Sequence, residues 1–479
     1  MLWITIDRSQ PMPLFRQIYA EIRNKILKGE LLGGDPLPST RRLAAELHLS
    51  RNVVLEAYEQ LLAEGFLESR PGSGHYVAAG IDPAPLSRGE NDLDKHALLK
   101  DTEATRLHPA DPATVESAPA LIDFRSGVPC LDHFPRALWG KLLQQVCREA
   151  PLAAFGYGRP EGRAELRQVL SRYLYRTRGV QCAPEQIVIT SGATQAFVLI
   201  AKVLLKPDSA VVLEDPITRD IQTIFASTGA KLIPVPVDEY GLKTDGLPAD
   251  ARPEFVLVTP SHQFPLGGTL PIQRRIQLIR YASQQDCYIV EDDYDSEFRY
   301  DSPPVHSLQG LSGERVIYIG SFSKILSPSL RLGYLVLPPD LVEKYQAAKW
   351  FTDLHTPAIE QLALGRFIEG GHLDKYINRV KKVYKRRRQV LLGALQTAFP
   401  HRVKIWGAST GLHIAASFPG IAFTEEKLSS LAAAGVNVYP VEEHTMVKGR
   451  HQDKVIIGYG NVDEADIAAG IGRLHEVLG

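Results

Sequence analysis

Ser321-Phe322-Ser323-Lys324 follows the apolar run Arg315–Ile319, and Arg331 stands seven residues beyond the lysine. A second apolar run, Cys287–Val290, leads into Asp292-Asp293-Tyr294, with Asp292 thirty-two residues before Lys324. Both runs read as buried strands that end in polar side chains. One end offers an amine, two hydroxyls and a guanidinium. The other offers a carboxylate and a phenol. Taken singly, Lys324 reads as an exposed lysine and Asp292 as a loop cap. Taken together they supply what pyridoxal 5′-phosphate (PLP) needs. Lys324 can form a Schiff base with the aldehyde, and Asp292 can keep the pyridine nitrogen protonated. Tyr294 can bond the 3′-oxygen, while Ser321, Ser323 and Arg331 can hold the phosphate.

Around these strand ends the chain alternates apolar runs with longer amphipathic stretches. Gln186–Thr190, Ala210–Leu213, Lys231–Val235 and Glu254–Val258 join the two runs above as buried parallel strands, with helices between them. Such alternation predicts a layered α/β sheet. Ile187-Val-Ile-Thr-Ser-Gly-Ala-Thr-Gln-Ala196 reads as a strand, a tight turn and a helix start, where free N–H groups and the Thr194 hydroxyl suit a phosphate. From about Lys375 the pattern changes to a smaller α+β subdomain. Its basic helix, Arg379–Arg388, reads as a solvated face rather than a DNA patch.

The first 78 residues differ. Leu14, Ile18, Ile22, Ile26 and Leu27 recur at helical spacing. Ser39 and Ser50 are placed to cap two further helices, Gly65 to end the third, and Pro71-Gly72-Ser73-Gly74 to turn a hairpin. Three helices and a hairpin predict a winged helix-turn-helix that binds DNA. Residues 1–77 carry nine Lys or Arg against nine Asp or Glu. A neutral module needs its basic groups on one face, and useful affinity then requires two modules on a symmetric or repeated operator. Residues 79–118, rich in Pro, Ala, Asp and Glu, read as a linker. The expected domains are thus 1–78, a linker, and 119–479.

Whole-chain properties narrow the setting. A net charge of −1 over 479 residues predicts no global pull toward nucleic acid or membrane. The four cysteines, Cys130, Cys147, Cys182 and Cys287, are scattered and suggest neither disulfides nor a metal site. No run approaches the roughly 20 apolar residues that span a bilayer, and Asp7 and Arg8 interrupt any leader. A cytoplasmic location is expected.

Leu37-Pro-Ser-Thr-Arg-Arg-Leu-Ala44, Ser50-Arg51, Ala57-Tyr58-Glu59-Gln60-Leu61 and Glu64-Gly65-Phe66-Leu67 resemble the GntR family of bacterial regulators. The resemblance implies DNA contacts from Arg41 and Arg51. Asn52 stands where a side chain can reach a base edge, and His75 on the wing can approach the groove or backbone. The later motifs, with Ser261-His262-Gln263-Phe264-Pro265 and Glu291-Asp292-Asp293-Tyr294-Asp295-Ser296-Glu297-Phe298, resemble fold-type I aminotransferases. The whole resembles the MocR/GabR regulators, which fuse the two parts. This implies that Lys324, Asp292 and Tyr294 act on PLP as above, and that Gln263 replaces the aminotransferase asparagine at the 3′-oxygen. It also implies a phosphate cup of Ala193, Thr194, Ser321, Ser323 and Arg331, a homodimer, and Tyr157 reaching the partner's phosphate.

Departures matter too. GABA-responsive relatives place an aromatic residue where Thr218 stands and an arginine where Asp220 stands. Asn461 stands where a carboxylate-binding arginine is expected, and Arg219 is the nearby candidate to replace it. The expected function is a PLP-dependent transcription regulator whose DNA binding or activation responds to an amine or amino acid that forms an external aldimine. A working aminotransferase with an accessory winged helix, or a PLP-level sensor controlling vitamin B6 synthesis, are the alternatives.

Overall fold

In the computed structural model, residues 4, 6–7, 12–70, 74–81, 121–301, 303 and 305–479 are described. Most of the expected linker, and Pro71 to Ser73 of the hairpin, lie outside them.

The winged helix comprises α1 (Leu14–Leu27), α2 (Thr40–Leu47), α3 (Arg51–Ala63), β1 (Leu67–Arg70) and β2 (Gly74–Val77). Ser39 caps α2 by accepting a hydrogen bond from the Arg42 N–H at 3.3 Å. Ser50 occupies the cap position of α3 without a side-chain bond. Ile18, Ile22, Ile26, Leu43, Val54, Tyr58 and Leu61 meet in one apolar core. The strands pair antiparallel, with Leu67 opposite Val77.

Residues 121 onward begin with β3 (Ile122–Asp123), α4 (Arg136–Glu149) and α5 (Ala164–Arg178). The large sheet uses β4 (Ile187–Thr190), β5 (Ala210–Asp215), β6 (Lys231–Asp238), β7 (Gly241–Leu242), β8 (Phe255–Val258), β9 (Tyr288–Asp293), β10 (Val316–Ser321) and β11 (Gly333–Val336). Their spatial order is β4-β11-β10-β9-β8-β5-β6-β7. Strands β10, β9, β8, β5 and β6 run parallel. Between these strands lie α6 (Ala193–Leu204), α7 (Arg219–Ala226) and α8 (Ile272–Gln285). Apolar residues on both sheet faces are covered, as a parallel sheet requires.

β11 is not among the strands expected from the sequence. It runs antiparallel between β10 and β4, so β4 has no parallel neighbour. Its Gly-Tyr-Leu-Val run is short, and nothing in its period distinguishes strand direction.

The remainder comprises α9 (Val342–Asp353), α10 (Ala358–Glu369), α11 (His372–Ala398), β12 (Lys404–Trp406), β13 (His413–Ser417), α12 (Glu425–Ala433), β14 (Val436–Asn437), β15 (Tyr439–Pro440), β16 (Lys454–Gly458) and α13 (Glu464–Leu478). β12, β13, β16 and β15 form a second sheet. The smaller unit also recruits β3 from far upstream, which pairs parallel with β14.

Two charge expectations are corrected. The basic stretch of α11 is no simple solvated face: Arg387 and Arg388 are buried. Arg388 forks onto Asp301 at 2.7 and 3.0 Å, and Arg387 bonds the Gly460 carbonyl. The basic groups of the winged helix do not share one face. Arg41 and Arg51 are exposed, whereas Arg16 and Arg23 line the junction with the large domain. No described helix is long and apolar enough to cross a membrane, and all four cysteines are free.

Candidate functional site

The parallel strands all end on one side of the sheet, where α/β proteins place their ligands. There a cavity of about 480 Å³ opens, lined by Asp292, Tyr294, Ser321, Ser323, Lys324, Arg331, Ala193 and Thr194 among others. Strand register explains the convergence. Asp292 lies beside Ile319, Ser321 beside Gly333, and Gly333 beside Thr190. Side chains alternate along a strand. Asp292 therefore faces the cavity, while Asp293 faces the opposite layer. Asp293 there accepts hydrogen bonds from the Arg178 guanidinium at 2.7 Å and from the Tyr318 hydroxyl.

Asp292 is buried, and its carboxylate accepts no hydrogen bond from the described residues. Burial pushes its pKa up to about 8, reinforced by Asp293, Asp295 and Glu214 and opposed by Lys324. A buried carboxylate without a bonded donor is suited to a cationic ring N–H. Lys324 sits in the turn after β10. Burial lowers its pKa, with Arg125 and Arg331 acting in the same direction and Asp295 and Asp292 against it. A larger share of neutral, nucleophilic amine results. Tyr294 donates its hydroxyl hydrogen to the His262 carbonyl at 2.8 Å.

One end of the cavity lies at the start of α6. Gly192, with φ +98°, turns the chain from β4 into α6, leaving the first N–H groups of that helix without helical partners. A Cβ at Gly192 would stand 2.9 Å from Arg331 Nη2, so the glycine admits the guanidinium. Arg331 also donates to the Ser191 carbonyl at 2.5 Å. Free helix N–H groups, two serines, a threonine and an arginine fit a phosphate. With the Asp292 and Lys324 chemistry, the residues present fit PLP.

Three expected residues, Gln263, Arg219 and Asn461, lie elsewhere. Gln263 is fully buried and does not line the cavity. Its amide donates to the Pro216 and Phe264 carbonyls at 2.9 and 2.6 Å and accepts from the Leu266 N–H at 3.1 Å. Phe264, one residue on, lines the cavity instead. Arg219 and Asn461 are exposed and outside the cavity, although Thr218 and Asp220 line it. Tyr157 is 85% exposed, edge-on to His355 at 6.4 Å. The reading of the sequence missed Arg125, His413 and Glu443, which also line the cavity and come from segments far apart in the chain.

On the winged helix, Arg41, Arg51 and Asn52 are exposed at the starts of α2 and α3. His75 is half-buried, its ring edge-on to Tyr58 at 5.2 Å. The opposite end of α3 docks on the large domain. Glu64 meets His306 at 2.6 Å, Arg23 donates to the Gly310 carbonyl at 3.0 Å, and Ile272 of α8 enters the winged-helix core. Docking thus leaves the prospective DNA face open.

Residues 14–77 match the bacterial regulatory proteins of the gntR family, and residues 119–474 match the aminotransferase class I and II family. The chain is 33% identical to the probable rhizopine catabolism regulatory protein MocR of Rhizobium meliloti, over 99% of this chain and 96% of that one. It is 30% identical to the pyridoxine biosynthesis transcriptional regulator PdxR of Corynebacterium glutamicum, covering 96% and 95%. Among solved structures, kynurenine aminotransferase of Pyrococcus horikoshii, in complex with PMP, is 32% identical with a TM-score of 0.70. That match covers 75% of this chain and 91% of the enzyme. With a gntR helix-turn-helix at one end, an aminotransferase fold at the other and full-length relatives of the same build, the chain belongs to the MocR-type transcriptional regulators.

Proposed function

We propose that this regulator binds PLP in the cavity at Lys324 and changes its hold on an operator when an amino-bearing effector arrives. The observation that carries this reading is the meeting of Lys324, Asp292 and Tyr294 in one cavity with a phosphate-shaped cradle. Bound PLP would supply an electrophilic carbon to which amines add. Lys324 would hold the cofactor there through its amine, in exchange with the amine of an effector. Asp292 keeps a proton on the ring nitrogen, Tyr294 turns to the 3′-oxygen, and Ala193, Thr194, Ser321, Ser323 and Arg331 hold the phosphate. Arg41, Arg51 and Asn52 reach DNA.

A continuous set of contacts leads from the cavity to the winged helix. Asp293, next to Asp292, bonds Arg178, whose carbonyl accepts from the Ser307 N–H at 2.9 Å, beside the docking residue His306. An effector that favours one setting of this strand end over another biases docking, and only that difference in affinity can move the equilibrium. Two chains are needed for a repeated operator. Exposed Leu152, Phe155, Tyr157 and Phe351 supply apolar surface for pairing.

The test titrates PLP-loaded protein with amines and both enantiomers of small amino acids, following near-visible absorption and affinity for a selected duplex together. At least one ligand should change both. A protein that stays colourless with PLP, and that borohydride leaves without a covalent adduct, refutes the reading. If PLP alone changes DNA affinity and no amine does, the protein senses the vitamer itself.

A further inference from the structure

Three cations line the cavity: Lys324, Arg331 and Arg125. The function proposed above gives the first two a partner, the aldehyde and the phosphate. Arg125 has none. It is exposed to the cavity and forms no ion pair or side-chain hydrogen bond among the described residues. Its charge opposes that of Lys324 and is also felt at Tyr439.

The segment that carries Arg125 is pinned on both sides. Phe124 is fully buried, its N–H donates to the Asn437 carbonyl at 3.1 Å, and its carbonyl accepts from the Gly458 N–H at 2.8 Å. Two residues beyond Arg125, Gly127 takes φ +75°, and a Cβ there would lie 2.6 Å from Lys324 Nζ. The guanidinium therefore springs from a fixed backbone beside the reactive amine. No β16 residue lines the cavity, and Arg219 and Asn461 lie outside it. Arg125 and Arg331 are thus the two arginines among the lining residues.

We propose that Arg125 grips the carboxylate of the effector, which is therefore an amino acid rather than a simple amine. This rests on PLP binding at Lys324. A guanidinium can take a carboxylate through two parallel hydrogen bonds, which fixes orientation as well as affinity. Asp220 and Glu443 also line the cavity, so a second carboxylate on the effector is disfavoured.

The test uses PLP-loaded full-length protein and matched probes: alanine against ethylamine, 3-aminopropanoate against ethylamine, and 4-aminobutanoate against propylamine. Dissociation constants are read from the near-visible absorption change. Wild type should bind the acid of at least one pair about tenfold or more tightly than its amine, as a charge-assisted contact supplies. Arg125→Gln should erase that preference while keeping its PLP absorption, and Arg125→Lys should restore part of it. A coloured wild type that treats every pair alike, or an Arg125→Gln protein that still prefers the acid, overturns the inference and leaves PLP binding standing. A colourless wild type instead removes the reading on which it rests.

Discussion

Glu64 at the end of the third helix places Oε1 2.6 Å from His306 Nδ1 on the large domain, while the Tyr19 hydroxyl donates to its Oε2 at 2.8 Å. This buried carboxylate ties the two halves of the chain together. The same helix presents Arg51 and Asn52 at its other end. A change in docking is therefore a change in the pose of that helix and of the two residues proposed to reach DNA.

Docking should depend on the charge of Glu64. Burial is the largest influence and pushes its pKa up, but His306, Gln60 and Tyr19 together hold it below the usual carboxylate value. A depressed carboxylate contributes stability that is present above the unfolded pKa and lost as pH falls through the folded one. Glu64→Gln should cost about 1–3 kcal/mol near neutrality. The penalty should vanish below the usual carboxylate range. Melting of wild type and variant across pH 3–8 (roughly the span of carboxylate titration) measures it. A penalty that persists in acid contradicts the assignment.

Asp292 gives the opposite sign. Its folded pKa is raised to about 8, so PLP-free protein should lose stability as pH rises from the ordinary carboxylate value toward 8. Asp292→Asn should flatten that slope and leave the PLP-free protein as stable as wild type or more so. PLP affinity should fall by about tenfold or more, since the partner of the ring N–H loses its charge. Melting curves with and without PLP read both effects.

Lys324→Ala should remove the near-visible absorption of lysine-bound PLP and the borohydride-stable adduct. The phosphate cradle does not include that side chain, so equilibrium dialysis should still detect non-covalent PLP. A borohydride-stable adduct retained by the variant would take Lys324 out of its role.

Arg51→Ala and Arg41→Ala should weaken operator binding by about tenfold each and lower its salt dependence. PLP loading should be unchanged, because both residues lie on the exposed face of the winged helix. Fluorescence anisotropy on a labelled duplex, at two salt concentrations, reads both effects. Unaltered affinity would shift the DNA face elsewhere.

Local pattern in the sequence carried much of this protein. Apolar runs of strand length marked β5, β6, β8, β9 and β10, because a strand buried on both faces must be apolar throughout. Helical spacing and serine caps marked the three helices of the winged helix. The strand end at Asp292 and Tyr294 was also legible, whereas the opposite facing of Asp293 emerged from its bonds to Arg178 and Tyr318. What the sequence could not decide depended on partners distant along the chain. The antiparallel direction of β11 follows from its neighbours, not from its own four residues. Gln263 and Phe264 are adjacent, and only the packed loop shows which side chain faces the cavity. Arg125 reaches Lys324 because β3 joins the smaller unit at β14, a pairing with no local signature. The burial of Glu64 against His306 likewise exists only once two independently patterned domains meet, since side-chain burial is a property of the assembled surfaces and not of either segment alone.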